Sequence, residues 1–476
     1  MCVPGIKSQP QAEKATVGET TAVVVPKILT RKQVLEQADP ETNLLVIIHG
    51  KVYDVTNWQY QHPGGHLTIR GLCGKDATDP FFAMHDPKAI VKWLTPRMQV
   101  ATVVDGDECD QMTTEFRKLT EKLYKEGTFQ TNYSFYYVVI ARIFAMFGLV
   151  IYGVMNSEKL YVHCLCGVLL GLVWQQAAFV GHDLGHNGIT HNRIIDSALG
   201  LFFGNFFTGF SIGWWKRSHN VHHIVTNSIQ HDPDIQHLPI FAVSKKFLEN
   251  KIFSTWFNDY LALNKAAHVL IKYQHWLYYP VMAFARFNLY VQSLLHACGV
   301  GVYNTPEYMW KRNWQIWTLV GFHVWMYALT MQLPTVLSRV LFYVLAHNVA
   351  GILHVQITLS HFSMPTYEGV TYDDCQNGYI RTQLLTSLDI DCPTWLDWFH
   401  GGLQFQTVHH IWPRIPRHNL RRVQGTLIDF CKEHDLKYNH LGFLAANRSV
   451  LGRLKETSKA TKSFNELFSD SFNLIG

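Results

Sequence analysis

From about residue 133 onward, long apolar runs broken by short polar clusters set the rhythm of the chain. Four runs reach the ~20 apolar residues with which a helix crosses a bilayer core: 135–155, 161–180, 314–333 and 336–359. The second and third carry no formal charge, and the fourth has Arg339 near its start. Arg142, inside the first, is expected to snorkel toward the headgroups. The N-terminal part has a different period. LLVIIHGKVYDVTNW (44–58) alternates about Gly50 and predicts a strand hairpin. Residues 1–27 are polar with scattered small residues and read as a disordered leader, and 456–476 as a polar tail. The stretch 105–132, containing EFRKLTEKLYKEG, is charged and helix-prone and reads as a linker. The pattern therefore predicts a small domain over 28–104 and an all-α membrane domain over 133–455.

Lys118, Lys122 and Lys125 precede the first span, and Lys311 and Arg312 precede the third, which places both flanks in the cytosol. Four spans then put the N-terminal domain and every polar cluster of the membrane domain on one side. Counting 194–213 as a fifth span would split those clusters between two faces. Its Asp196 and glycines suit an interfacial or protein-buried segment, and the mixed stretch 270–300, with Lys272 and Arg286, reads as interfacial.

Composition agrees. Of 476 residues, 48% are hydrophobic and 16% charged, which is apolar for a soluble protein. The net charge of +5, without a long basic run, gives no nucleic-acid partner. Nine cysteines without a CxxC pair indicate a reducing compartment, and Cys164 and Cys166 read as packing. TAVVV at 21–25 is too short for a signal-peptide core, so a cytosolic N-terminus is expected.

Histidines carry the candidate chemistry. His219, His222 and His223 in HNVHH share one helix face; His182 and His186 repeat the i, i+4 spacing in HDLGH; QTVHH ends in His409 and His410. Neutral imidazole is the commonest metal ligand, so three such clusters point to one polynuclear centre assembled from distant parts of the chain. His361 ends the fourth span at the depth where His182 ends the second, which makes it a further candidate ligand. His347 and His354 share its face but lie about 20 and 10 Å deeper, at ~1.5 Å per residue, and read as hydrogen-bonded packing residues. His191, His231 and His237 fall off the ligand spacings. Asp183 and Asp232 are candidates to orient ligand imidazoles.

HPGGH (62–66), followed by GKDATDPFFAMH ending at His85, resembles the cytochrome b5 haem domain over about 28–104. The resemblance implies an α+β haem domain whose haem b is held by His62 and His85; His49 and His66 lie outside the pattern. Two histidines on one iron leave no open position, so such a haem carries electrons. HExxH and Glu-x-x-His are both absent, which argues against the common zinc protease and the carboxylate di-iron bundle. A histidine-rich site fed by an electron carrier at a membrane surface points to iron, dioxygen and an inert lipid chain.

HDLGH, HNVHH and QTVHH resemble the three histidine boxes of membrane fatty-acid desaturases, with Gln406 replacing the first histidine of the last box. That replacement, with an N-terminal cytochrome b5 domain, is similar to front-end desaturases over about 28–455. The resemblance implies two non-haem irons at His182, His186, His219, His222, His223, His409 and His410, with O2 as co-substrate and cytochrome b5 reductase as donor. It implies a multi-pass protein of the endoplasmic reticulum with its catalytic face in the cytosol. Gln406 is expected either to bind iron weakly or to position a bound water. HDPDIQHLPIFAVS and SLDIDCPTWLDWFHGGLQFQ look most like sphingolipid Δ8 desaturases, with Δ6 (or Δ5) acyl-lipid desaturases next; Val408 and Leu184 depart from the family pattern. A lipid hydroxylase and a non-enzymatic haem redox carrier are the competing readings.

Overall fold

The computed structural model describes residues 27–87, 93–104, 106, 109–249, 251–300, 312–370 and 378–461. The expected leader, apart from Lys27, and most of the expected tail lie outside these residues. Lys311, one of the charges behind the expected orientation, lies outside them too.

The N-terminal domain holds a four-stranded sheet in the order β1 (Lys27–Leu29), β4 (Gln99–Val103), β3 (Lys51–Asp54), β2 (Leu45–Ile48). The expected hairpin is β2 and β3, antiparallel, with Ile48 opposite Lys51. His49 and Gly50 make its turn at φ 47° and 68°. All four residues of β2 are buried because each face meets a different core. Leu45 and Ile47 pack with Val34, Val52, Ala101 and Val103. Val46 and Ile48 face the other way, into a core shared with the C-terminal domain.

That shared core corrects the reading of 105–132 as a plain linker. Helix α1 (Gln111–Lys125), capped by Asp110 accepting from the Thr113 backbone N–H at 2.7 Å, buries Met112, Phe116 and Leu123. Phe116 stacks on Trp412 at 5.6 Å, Trp412 Nε1 donates to Thr120 Oγ1 at 3.1 Å, and Arg117 pairs with Asp79 at 2.8 Å. The helix clasps the two domains together.

Among the described residues, three helices are long and apolar enough to cross a membrane: α2 (Tyr133–Asn156), α3 (Leu160–Gly185) and α6 (Val336–Leu359). The expected span 314–333 forms helix α5 (Arg312–Met331), whose Gln315 Oε1 accepts from Ser211 Oγ at 2.6 Å inside the protein. Helix α3 is central, packed between α2 and α6. Gly167 and Gly171 let it touch the α6 backbone: a Cβ on either would lie 2.7 Å from the carbonyl oxygen of Phe342 or Ala346.

Arg142 does not snorkel. Its Nη2 donates to Gln176 Oε1 at 2.8 Å and its guanidinium lies 5.6 Å from the Trp398 ring, so it finds polar and aromatic partners within the protein. The segment 194–213 is a short helix, Arg193–Gly200, running into a π-helical turn, Leu201–Phe206. Within 270–300, Arg286 is interior rather than interfacial: 2% exposed, its guanidinium sits 4.2 Å from the Trp174 ring and donates to Tyr290 Oη at 2.8 Å.

Candidate functional site

Three elements bring the histidine clusters together. The end of α3 supplies His182, with His186 as its cap. Helix α4 (Ile212–Val225) starts at Ser211, whose Oγ accepts from the Trp214 N–H at 3.0 Å, and aligns His219, His222 and His223. The short helix α7 (Gln406–Ile411), entered through Gly401 and Gly402 in left-handed conformations, supplies Gln406, His409 and His410.

Among the described residues, two groups result, each with its ligand atoms within 4.8 Å of one another. The first is His182, His186, His219 and His409; the second is His222, His361 and His410. His361 thus lies with His222 and His410. His223 lies between the groups, its Nε2 3.0 Å from His219 Nε2 and its ring stacked on His410 at 4.2 Å. Burial, then the charges of neighbouring imidazoles, hold His186, His219, His223, His361, His409 and His410 well below the usual histidine range, so these rings are neutral. His222 differs: burial opposes its charge, but the Asp232 and Asp234 carboxylates outweigh burial and raise it to about 9.

The donor set fits metal. In the second group every Nδ1 is engaged: His222 with Asp232 at 2.9 Å, His361 with the Thr386 carbonyl at 3.2 Å, His410 with Gln383 Oε1 at 3.2 Å and Thr226 Oγ1 at 3.1 Å. All three Nε2 atoms therefore turn toward one another. In the first group His182, His186 and His409 each hold a buried Nε2 without a hydrogen-bond partner. Converging, unpartnered imidazole nitrogens in a dry site cost free energy that a bound cation would offset. A cavity of about 10 Å³ beside His182 and His409 has room for roughly one water-sized molecule. Gln406 sits at the second group, its Nε2 3.1 Å from His361 Nε2 and 3.3 Å from His410 Nε2, while its Oε1 is buried without a partner.

The N-terminal domain presents a second pair. His62 and His85 face each other with ring centroids 5.8 Å apart. His62 Nδ1 lies 3.1 Å from the Gly65 carbonyl and His85 Nδ1 2.9 Å from that of Phe81, which leaves both Nε2 atoms to the gap. Burial lowers the pKa of His62 and, with the charge of His62, brings His85 down to about 4. A Cβ on Gly64 would lie 2.8 Å from His62 Cε1, so only glycine lets the loop fold over that ring. Two opposed, neutral imidazoles with fixed tautomers, His62 buried and His85 half-buried, fit a haem that the pair would hold from both sides.

The Fatty acid desaturase family model matches residues 159–442, and the Cytochrome b5-like Heme/Steroid binding domain model matches residues 30–130. The chain is 35% identical over 437 residues to an acyl-lipid (9-3)-desaturase of Borago officinalis, covering 92% of this chain and 95% of the relative. It is 34% identical to a Delta 8-(E)-sphingolipid desaturase of Komagataella phaffii, covering 89% of this chain and 92% of the relative. It is also 38% identical to a Delta(8)-fatty-acid desaturase of Helianthus annuus, covering 90% and 91%. The chain belongs to the fatty acid desaturase family. It is a front-end desaturase with a fused cytochrome b5-like domain, and an oxidoreductase.

In this desaturase the residues that orient the clustered imidazoles are only partly visible in the sequence. Asp232 does what its position predicts, on His222. Asp183 instead accepts from Tyr136 Oη at 2.7 Å and pairs with Arg417 at 2.9 Å, and its contact with His182 Nδ1 is 3.5 Å. The sequence does not mark the roles of Gln383, Thr226 and Asp234, although Thr226 follows HNVHH by three residues and Asp234 lies within HDPDIQ. His347 packs as expected, with Nδ1 2.8 Å from the Tyr343 carbonyl, and His354 lies against the backbone of Gly351 and Met282. His191 and His231 bond Thr131 and Thr255, outside both groups.

Asp232→Asn keeps the shape of the side chain and removes the charge that fixes His222. We expect metal affinity or activity to fall about 10–100-fold, the usual effect of losing such a partner. Metal content and product yield of the purified variant check this, and parent-like values for both would show that Asp232 serves folding only.

Proposed function

We propose that the chain introduces a double bond into a membrane lipid chain with two non-haem irons, one at each histidine group, and electrons from a haem b held by His62 and His85. The observation that carries this is the pairing of two buried imidazole groups with a bis-histidine site in one continuous protein core. When bound, iron supplies the oxidising chemistry, in which dioxygen, two delivered electrons with two protons, and two substrate hydrogens give a double bond and two waters. The chain's residues do the rest. Asp232, Gln383, Thr226 and the Thr386 carbonyl hold their imidazoles in the tautomer that presents Nε2. Burial keeps His186, His219, His223 and His409 neutral. Gln406, with an amide in place of an imidazole, binds its iron weakly or holds a water beside it, and His223 bridges the two groups.

On this reading the haem receives its electrons from a cytochrome b5 reductase. The protein resides in the endoplasmic reticulum, with haem domain and catalytic face both on the cytosolic side. The substrate proposed is the long-chain base of a sphingolipid, desaturated at Δ8, as the names of several relatives state for those proteins. A Δ6-type acyl-lipid substrate is the second reading, supported by the acyl-lipid relative of similar coverage.

Expression in a yeast lacking both activities, with both lipid classes profiled, separates them. Δ8-unsaturated long-chain bases with supplied C18 polyunsaturated acids unchanged are expected. New Δ6 acids with the bases untouched would reverse the assignment, and a product heavier by one oxygen would make the enzyme a hydroxylase.

A further inference from the structure

Arg414 lies four residues beyond His410, on the segment that leaves the third histidine cluster. It belongs to the desaturase domain, yet its charge acts on His85 of the haem pair and on Tyr124, which it also hydrogen-bonds. Tyr124 in turn donates to the His85 carbonyl at 3.5 Å. The Arg414 Nη1 is buried and has no hydrogen-bond partner among the described residues. A guanidinium donates through five N–H groups and cannot shed its charge, so a buried Nη1 is open to an anionic acceptor carried by a bound group.

The domains are docked so that such an acceptor could come from the haem pocket. A Cβ on Gly64, next to the His62 loop, would lie 3.6 Å from Asn220 Nδ2 of α4, and one on Gly71 would lie 3.4 Å from Val225 Cγ1. Lys75 Nζ donates to the Val370 carbonyl at 3.0 Å. Trp58, Leu67, Phe81 and Met84 of the haem pocket pack on the same core as Val221, Ile224 and Trp412. Tyr124 touches both Arg414 and the backbone of His85, and a haem bears two propionate carboxylates at its edge.

We infer that Arg414 receives a haem propionate across the domain interface and that its positive charge sets the haem potential, a positioning role outside the catalytic clusters. The inference rests on the haem assignment to His62 and His85 made above. A fixed cation beside the haem favours the ferrous over the ferric state, because the ferric haem carries one more positive charge. The same arginine would tie the haem edge to the segment that carries His409 and His410.

The test is a spectroelectrochemical titration of the haem in the purified full-length chain. Arg414→Gln is expected to lower the midpoint potential, with about a tenfold smaller ferrous-to-ferric ratio at fixed potential, about 59 mV for one electron. Arg414→Lys, which keeps the charge, is expected to stay near the parent. Tyr124→Phe, which removes a neighbouring hydroxyl only, is expected to leave the potential unchanged. An unchanged potential in Arg414→Gln, or an equal fall in Arg414→Lys, overturns the inference. A second readout needs no substitution: the parent loaded with haem dimethyl ester should surrender its haem to apomyoglobin severalfold faster than the parent with natural haem. Equal rates overturn the propionate contact. A parent chain that binds no haem overturns the haem assignment itself, an outcome distinct from both.

Discussion

Replacing His410 by alanine is expected to remove desaturation below detection and one iron per chain, while the haem spectrum stays as in the parent. His410 is fully buried and belongs to the three-histidine group with His222 and His361. Its Nδ1 is held by Gln383 and Thr226, so Nε2 has one direction left to face. Alanine would leave two imidazoles and an amide in a dry site, too few donors for a resident iron whose usual sites are rich in imidazole. His222 would then keep its proton, because Asp232 and Asp234 stabilise the imidazolium and no metal displaces it. The four-histidine group keeps its donors, so half of the non-haem iron should remain. His231→Ala serves as the control, since that ring bonds Thr255 away from both groups. Metal analysis and lipid profiling of the two variants check this; full iron and full product in His410→Ala would remove the second group from the chemistry.

His62→Ala and His85→Ala are each expected to abolish the low-spin haem spectrum and, with it, product formation driven by a reductase. On the proposed assignment both rings would hold the haem, and the other histidines of the domain are engaged elsewhere: His49 sits at the hairpin turn with its ring against Phe82, and His66 lies against Tyr60. Non-haem iron should stay at the parent level in both variants, because among the described residues the desaturase clusters draw no donor from before His182. Optical spectra with metal analysis provide the check. A parent-like spectrum in either variant would mean that the haem is held elsewhere.

Local pattern carries much of this arrangement. The alternation about Gly50 marks the hairpin, and the i, i+4 histidine pairs mark the ligand helices, because both are properties of a few consecutive residues. His361 is legible from a depth argument along one helix. What escapes depends on partners distant in sequence. Phe116 reads locally as one apolar residue of a charged helix, and only Trp412 stacked on it shows that the helix is a clasp. Arg142 reads locally as a residue for the headgroups, because Gln176 and Trp398 come from other segments. Gln383 orients His410 from a helix with no histidine of its own. Asp183 and Asp232 look equivalent in the sequence, each near a histidine cluster. The fold gives one to Arg417 and Tyr136 and the other to His222.

Two buried histidine groups that each hold an iron apart from the haem would set the metal content of the protein. Total iron and haem, measured together on the purified full-length chain, read it: two iron ions beyond the one in each haem are expected, whereas iron equal to haem would overturn the two-iron assignment and leave a membrane-bound electron carrier.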